Sequence, residues 1–481
     1  MHIVDVLYYW ARTVPHRAAI LQNDMVTTFQ GLADAIESIG ERIDRLNLDK
    51  RDPVAVSIAN PSFKLAAIFA LLRGGFSVAP VNSRLYPHLA GAGLRNLIYD
   101  TEGQVTSAGR NIRFDMSWLG NSRQAASTRA YQKRPNEDAS LIFFTSGTTG
   151  LPKKVVQTAA ALDQLLRYPF TCASGAHQKV LIMPGLTSTF GFNRVCEVFN
   201  FGKTACFALG NIAALSLINL FGIEVVVASA AQALSLAEMK NKNPGYRIDS
   251  LKAIIVGGGK IESEGIARIR NALCRNVIHQ YGSTEAGVVG LMPFEMLADT
   301  IGVMVLPWAE LEVVNEAGEQ LPAGAEGFVR LRTPQLIENL KSAERDEVPG
   351  VRDEWYYPGD VGSLADDRLL SIVGRGSDVI NRGGFKVSGT RIEAILNEMP
   401  EIREAAACGT AGASGIEEIW IAVVANGEVN IDGIKQHLQK HNDVGIAPDE
   451  VFVVNQIPRG DLGKVQKYRL KELLLGLKRG T

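Results

Sequence analysis

With 481 residues, 46% of them hydrophobic and 21% charged, the chain has the balance of a soluble globular protein and exceeds one ordinary core, so two or three domains are expected. A formal net charge of −1 excludes a global field that would recruit nucleic acid or an acidic membrane. Cys172, Cys196, Cys206, Cys274 and Cys408 are odd in number and form no CxxC pair, which argues against both a disulfide framework and a zinc site. The N-terminus lacks the pattern of a secretory signal, and no apolar run reaches the roughly 20 residues that a membrane span needs. The expectation is a cytoplasmic protein without a membrane span.

In chain order, "PVAVSIAN" reads as a strand, "PSFKLAAIFALLRGG" as a helix stopped by glycine, and "FSVAPVN" as the next strand. The theme repeats in "IEVVVAS" with "AAQALSLAEMKNKN", and in "LKAIIVGGG" with "SEGIARIRNALC". Strand, helix, parallel strand is the signature of a doubly wound α/β sheet, whose ligands lie beyond the carboxyl ends of the strands. From about residue 301 the pattern changes. "AELEVVNEAGEQLPAGAEGFVRLRT" looks like a β-meander, and the Gly- and Arg-rich "LLSIVGRGSDVINRGG" suits a junction. Beyond it, "TRIEAILNEM" (helix), "IWIAVVANG" (strand), "IDGIKQHLQKH" (helix) and "EVFVVNQI" (strand) make a compact α+β unit. The domains expected are 1–376, with doubly wound sheets plus a β-subdomain, and a small mobile lid over 377–481.

Five segments carry residues suited to chemistry. "TSGTTGLPKK" offers glycines, hydroxyls and lysines to an anion, yet Pro152 breaks the Walker pattern and Phe144 breaks the nucleophile-elbow pattern. By itself it reads equally as a surface loop. "HQYGSTEAG" could stack on a base and offer Glu285 to a metal, or be a turn whose glutamate caps a helix. Asp360 in "WYYPGD" could accept two ribose hydroxyls or merely close a turn. Arg375 in "GRGSD" suits a ligand, a domain junction or solvent, and Lys464 in "PRGDLGK" taken singly is a solvated tail residue.

The order of these five is the distinctive feature. Gly/Ser/Thr–Lys loop, Tyr-Gly-x-Thr-Glu, Gly-Asp, Gly-Arg-x-x-Asp and Pro-Arg-x-x-x-Gly-Lys form the motif series of the adenylate-forming superfamily. The chain resembles that superfamily, which holds acyl- and aryl-CoA synthetases, luciferases and peptide-synthetase adenylation domains, over nearly its whole length. The resemblance implies ATP-dependent activation of a carboxylic acid to an acyl-adenylate, followed by transfer to a thiol. That thiol is coenzyme A, or alternatively the phosphopantetheine of a separate acyl carrier protein. It implies that Thr145, Ser146, Gly147, Thr148, Thr149, Gly150 and Lys153 handle the β- and γ-phosphates. Gly258, Gly259 and Lys260 would line the adenine pocket, with Tyr281 stacking on the base and Gly282 and Ser283 beside it. Thr284 would contact phosphate, Glu285 would hold Mg²⁺, Asp360 and Arg375 would hold the ribose, and Lys464 would reach the carboxylate and the α-phosphate.

The pocket for the acid is expected around Phe190, Phe192, Asn193 and Gly257, with Gly287 at its end and room left by the glycines. "TSTFGFNRV" lacks the aspartate that peptide-synthetase domains aim at an amino group, so a non-amino acid is favoured. Departures from the family pattern are Lys154 after the loop lysine, Ser377 after "GRG", and Pro358 before Gly-Asp.

Overall fold

The computed structural model describes residues 3–23, 25–101, 109–119, 139–146, 152–167, 177–259, 261, 263–293, 302–342, 350–382, 385–411, 417–440, 448–460, 463 and 465–479. Two sheets form its larger part. A six-stranded sheet contains Val54–Ser57, Val78–Pro80, Asn96–Tyr99 and the hairpin of Ser140–Ser146 with Pro152–Thr158. The other sheet has fifteen strands among the described residues, and its parallel part runs through Lys179–Ile182, Thr204–Phe207, Val225–Ser229 and Ala253–Gly257.

Side-chain parity explains the layers. Val225 and Val227 join one core, whereas Val226 and Ala228 join another, because successive residues of a strand point to opposite faces. The first core is shared by both sheets and by the helices Ile3–Thr13, Phe29–Asp44, Pro61–Arg73 and Thr189–Asn200 between them. The second lies under Asn211–Phe221, Ala230–Lys242 and Ser263–Ala272. Buried on both faces, these strands read as unbroken apolar runs such as "VVVAS". Local signals set the helix ends: the Asn60 side chain accepts from the N–H groups of Ser62 and Phe63, Pro61 opens the helix, and Gly74 ends it.

The β-subdomain is continuous with the parallel sheet. Val277–Ser283 pairs parallel with Ala253–Gly257 on one side and antiparallel with Gly287–Pro293 on the other. The sheet therefore changes character at this hairpin, ahead of the composition change near residue 301. The expected meander is present as Glu310–Val314 against Glu326–Arg332. Residues from Ile380 onward build two cores of their own, around a three-stranded sheet of Ile402–Ala411, Glu417–Ala425 and Glu450–Val453. The segment beyond Lys464 contains a helix, Lys467–Arg479, that buries Leu470 and Leu474 in the second of these. Among the described residues no helix is long and apolar enough to cross a membrane.

Candidate active site

Two hairpins of the large sheet bring distant motifs together. Asp360–Leu364 pairs with Leu369–Arg375 so that Asp360 and Arg375 are cross-strand partners, fifteen positions apart in the chain yet side by side. The register shifts between Val361 and Gly362, leaving Val373 as the extra residue of a bulge. Arg375 Nε lies 3.1 Å from Asp360 Oδ1, and the Tyr281 hydroxyl donates to Asp360 Oδ2 at 2.6 Å. Burial first, then the Asp360 charge, pushes the Tyr281 phenol far above its ordinary pKa, so it stays protonated and remains a donor. Asp360 is 6% exposed, and each of its oxygens keeps a further lone pair for a ligand hydroxyl.

Residues 284–286 form the turn between Val277–Ser283 and Gly287–Pro293, so Glu285 caps no helix; a strand follows it. A second bulge, between Tyr281 and Gly282, re-aims the chain just before this turn. The Tyr356 hydroxyl hydrogen-bonds the Glu285 carboxylate and the Ser283 hydroxyl; burial and the Glu285 charge raise its pKa, which keeps the phenol a donor to Glu285. Ser283 Oγ in turn accepts from the Ala286 N–H at 3.1 Å. Thr284 and Thr189 share a hydroxyl–hydroxyl hydrogen bond of 3.0 Å, which ties the turn to the start of the helix Thr189–Asn200. Tyr356 was not singled out from sequence, although it stands in the same "WYYPGD" segment as Asp360.

Asn339, on the helix Pro334–Ser342, is a second residue that sequence reasoning missed. Its Oδ1 accepts from the Thr158 N–H at 3.1 Å, and its Nδ2 reaches the Glu285 carbonyl at 3.5 Å. One amide thus links the hairpin of Ser140–Ser146 and Pro152–Thr158 to the Glu285 turn, with 3% of its surface exposed. Asn339→Ala leaves half-buried backbone groups at Thr158 and Glu285 without that partner, at about 1 kcal/mol for each hydrogen bond. A lowered thermal midpoint together with a raised KM for ATP is the expected result. An unchanged KM would leave Asn339 with packing alone.

Ser140–Ser146 and Pro152–Thr158 are antiparallel partners, in which Thr145 faces Lys153 and Ser146 faces Pro152. This differs from a strand-to-helix phosphate loop. Gly147, Thr148, Thr149, Gly150, Lys260 and Lys464 lie outside the described residues, as do the side chains of Thr145, Ser146, Lys153 and Ser377. Lys154 is described, pairs across the hairpin with Phe144, and is exposed. Gly463, next to Lys464, packs against the first turn of the helix Ala230–Lys242: a Cβ on it would lie 2.5 Å from that of Ala231. Gly258 and Gly259 leave the strand Ala253–Gly257 at its carboxyl end, and the half-buried His279 imidazole hydrogen-bonds the backbone of Gly259 and Gly302. Burial lowers the His279 pKa, so this support is neutral.

The expected acid pocket divides. Phe190 stands against Gly257, its Cζ 3.1 Å from where a Cβ would be, and Gln280 lies 3.4 Å from the same point. Phe192, in contrast, faces away; it is fully buried in the core against Phe69 and Phe143 and does not line this pocket. Two residues apart on a helix is about 200°, which separates the two rings. Gly287 leaves no open room either: it adopts φ +72°, and Gln335 Oε1 sits 2.3 Å from its Cβ position. The glycine serves a left-handed turn and a close side-chain approach.

The same chain is similar to known proteins along most of its length. The family model for "AMP-binding enzyme" matches residues 7–339. The salicyl-AMP ligase / salicyl-S-ArCP synthetase of Mycobacterium tuberculosis is 30% identical over 73% of this chain and 64% of its own. The 2-succinylbenzoate–CoA ligase of Bacillus subtilis is 24% identical over 97% of each. Among solved structures, O-succinylbenzoate coenzyme A synthetase from Bacillus subtilis in complex with AMP superposes with TM-score 0.82 at 21% identity, covering 97% of this chain and 98% of that one. The amide bond synthetase McbA from Marinactinospora thermotolerans gives 0.77 at 21% identity, over 98% and 99%. With its ordered motifs, its α/β layers and a match over well more than half its length, the chain belongs to the AMP-binding enzyme family.

Proposed function

We propose that this protein is an AMP-forming acid–thiol ligase, which activates a carboxylic acid with ATP and passes the acyl group to the thiol of coenzyme A. The observation that carries the reading is the convergence of Tyr281, Asp360 and Arg375 beside the Glu285 turn, at the edge where the parallel sheet meets its antiparallel extension. In the first step a carboxylate oxygen attacks the α-phosphorus of ATP, and the bond to the leaving pyrophosphate breaks. In the second a thiol sulfur attacks the acyl carbon, and AMP leaves with the bonding electrons.

Each residue answers a physical need. Asp360 accepts ribose hydroxyls while Tyr281 and Arg375 fix its carboxylate. The loop 145–150 with Lys153 steadies the departing pyrophosphate, and Thr284 adds a hydroxyl. Lys464 stabilises the charge that builds as the new P–O bond forms. Glu285 fits a Mg²⁺ ion that arrives with the nucleotide: among the described residues no group of three or more His, Cys, Asp or Glu gathers as a resident site, and nucleotide-bound magnesium takes only one or two protein carboxylates. When bound, that ion neutralises charge on the phosphoryl oxygens.

The domains are 1–376, for ATP and the acid, and 377–481, a lid that carries Lys464. The separate cores of the C-terminal residues support this division. A carrier-protein thiol is the alternative acceptor, favoured by the 30% identity to a relative named as a salicyl-S-ArCP synthetase.

The test is acid-dependent exchange between ATP and labelled pyrophosphate over aryl, short-chain and long-chain acids, repeated with coenzyme A and with a phosphopantetheinylated carrier for thioester formation. Exchange with at least one acid is expected. Its absence across the whole panel would remove the ligase reading, and thioester on the carrier alone would replace the acceptor.

A further inference from the structure

The Tyr356 hydroxyl reaches the Glu285 carboxylate and the Ser283 hydroxyl from the strand Trp355–Tyr356. Counting hydrogens gives these bonds a direction. An ionised carboxylate can only accept, so the single hydrogen of the phenol goes to Glu285. The Ser283 hydroxyl then donates to the phenol oxygen, and its own oxygen accepts from the Ala286 N–H at 3.1 Å. The bonds therefore run in one sense, from the Ala286 N–H through Ser283 and Tyr356 to Glu285. Ser283 and Ala286 flank Glu285, so the chain of bonds begins and ends in one turn. Such bonds polarise one another, and the last is charge-assisted.

Both ends of the Tyr356–Glu285 bond are held in place. Tyr356 is 6% exposed and shares the β-subdomain core with Ala286, Val289 and Leu331. Its strand pairs with Leu331 on one side and Val351 on the other. In the turn, the Ala286 carbonyl accepts from Thr333 Oγ1 at 2.7 Å, and Asn339 Nδ2 reaches the Glu285 carbonyl. A free glutamate side chain samples many rotamers, and ordering it at the moment of binding weakens affinity. Here the ordering is completed in folding. The phenol takes one of about four lone-pair positions on the carboxylate, and the others remain for a cation.

We infer that Tyr356 is the positioning residue of the metal-holding carboxylate: it sets Glu285 for Mg²⁺ and so determines how strongly the protein prefers the magnesium complex of ATP to free ATP. The inference rests on the ligase reading above, in which Glu285 meets Mg²⁺, and deepens it. Hydrogen bonds of this kind orient ligating carboxylates, and losing one costs about 10–100-fold in metal affinity.

The experiment is equilibrium binding of ATP to the full chain by calorimetry, in excess Mg²⁺ and in EDTA. The unaltered protein should bind ATP more tightly with Mg²⁺. Tyr356→Phe, which keeps the ring and removes the hydroxyl, should shrink that difference by about tenfold or more, while Kd in EDTA stays within about threefold. Ser283→Ala should shrink it by about threefold, since the phenol keeps its bond to Glu285 and loses its own donor. Glu285→Gln should abolish the difference, and adding Tyr356→Phe to it should change nothing further. Equal losses with and without Mg²⁺, or a Mg²⁺ dependence that Tyr356→Phe leaves intact, would overturn the inference while the ligase reading stands. ATP binding that ignores Mg²⁺ in the unaltered protein would remove Glu285 as the metal-holding residue and the inference with it. Should Tyr356→Phe fail to fold, Ser283→Ala decides: an unchanged Mg²⁺ dependence there overturns the idea.

Discussion

Asp360→Ala should lower kcat/KM for ATP by about a hundred- to ten-thousand-fold, since two hydrogen bonds to a charged group are worth about 1.5–3 kcal/mol each. The substitution has a second consequence inside the protein. The Tyr281 hydroxyl and the Arg375 guanidinium both lose their partner, and Tyr281 is deeply buried. Arg375 is half exposed, so water takes over much of its pairing, and the structural cost falls mainly on Tyr281. Asp360→Asn keeps the shape and one acceptor oxygen, and its loss should be about tenfold smaller. Steady-state kinetics in ATP, with thermal unfolding as the control, separates these effects. Equal losses in ATP and in acid KM, with a collapsed thermal midpoint, would mean that Asp360 only holds the hairpin together.

Lys464→Ala should slow acid-dependent adenylation by about a hundred- to thousandfold, the usual loss when one preorganised donor to a developing anion is removed. We propose that the lid rotates between the two steps and withdraws the lysine before the thiol attacks. Thioester formation from supplied acyl-adenylate should therefore stay within about threefold of the unaltered enzyme. The two half-reactions are measured separately, as pyrophosphate exchange and as AMP release from the acyl-adenylate. Equal losses in both would sink the moving-lid assignment. The packing of Gly463 against Ala231 bears on this, because it sets the chain beside Lys464 against the helix Ala230–Lys242.

How much of this was legible in the sequence depended on the kind of signal. Alternating apolar strands and capped helices are local, so the elements at Val54–Ser57, Pro61–Arg73 and Val225–Ser229 follow directly from their residues. The strand Ile402–Ala411 did not, because "EAAACGTA" is alanine-rich and has weak β-propensity; only pairing with Glu417–Ala425 makes it a strand. The helix Lys467–Arg479 was hidden by its charges, since only Leu470 and Leu474 face its core. In the site, residue types and order pointed to Tyr281, Asp360 and Arg375, but their mutual bonds needed the sheet. Tyr356, Asn339 and Gln335 act through contacts with residues far away in sequence, which no local pattern encodes. Phe190 and Phe192 were indistinguishable as apolar letters, and helix phase separates them.

The bulge at Val373 gives the chain's length a meaning of its own. From Ser363 opposite Ser371 to Asp360 opposite Arg375, one strand advances three residues and the other four, and Val373 supplies the difference. Counted over the same residues without a bulge, Asp360 would face Gly374, and the Arg375 side chain would fall one place further on, on the opposite side of the sheet. Among diverging copies of this gene, a one-codon deletion at 373 would thus keep Asp360 opposite Arg375 and remove only the bend and extra twist that the bulge gives the pair, with every motif letter in place.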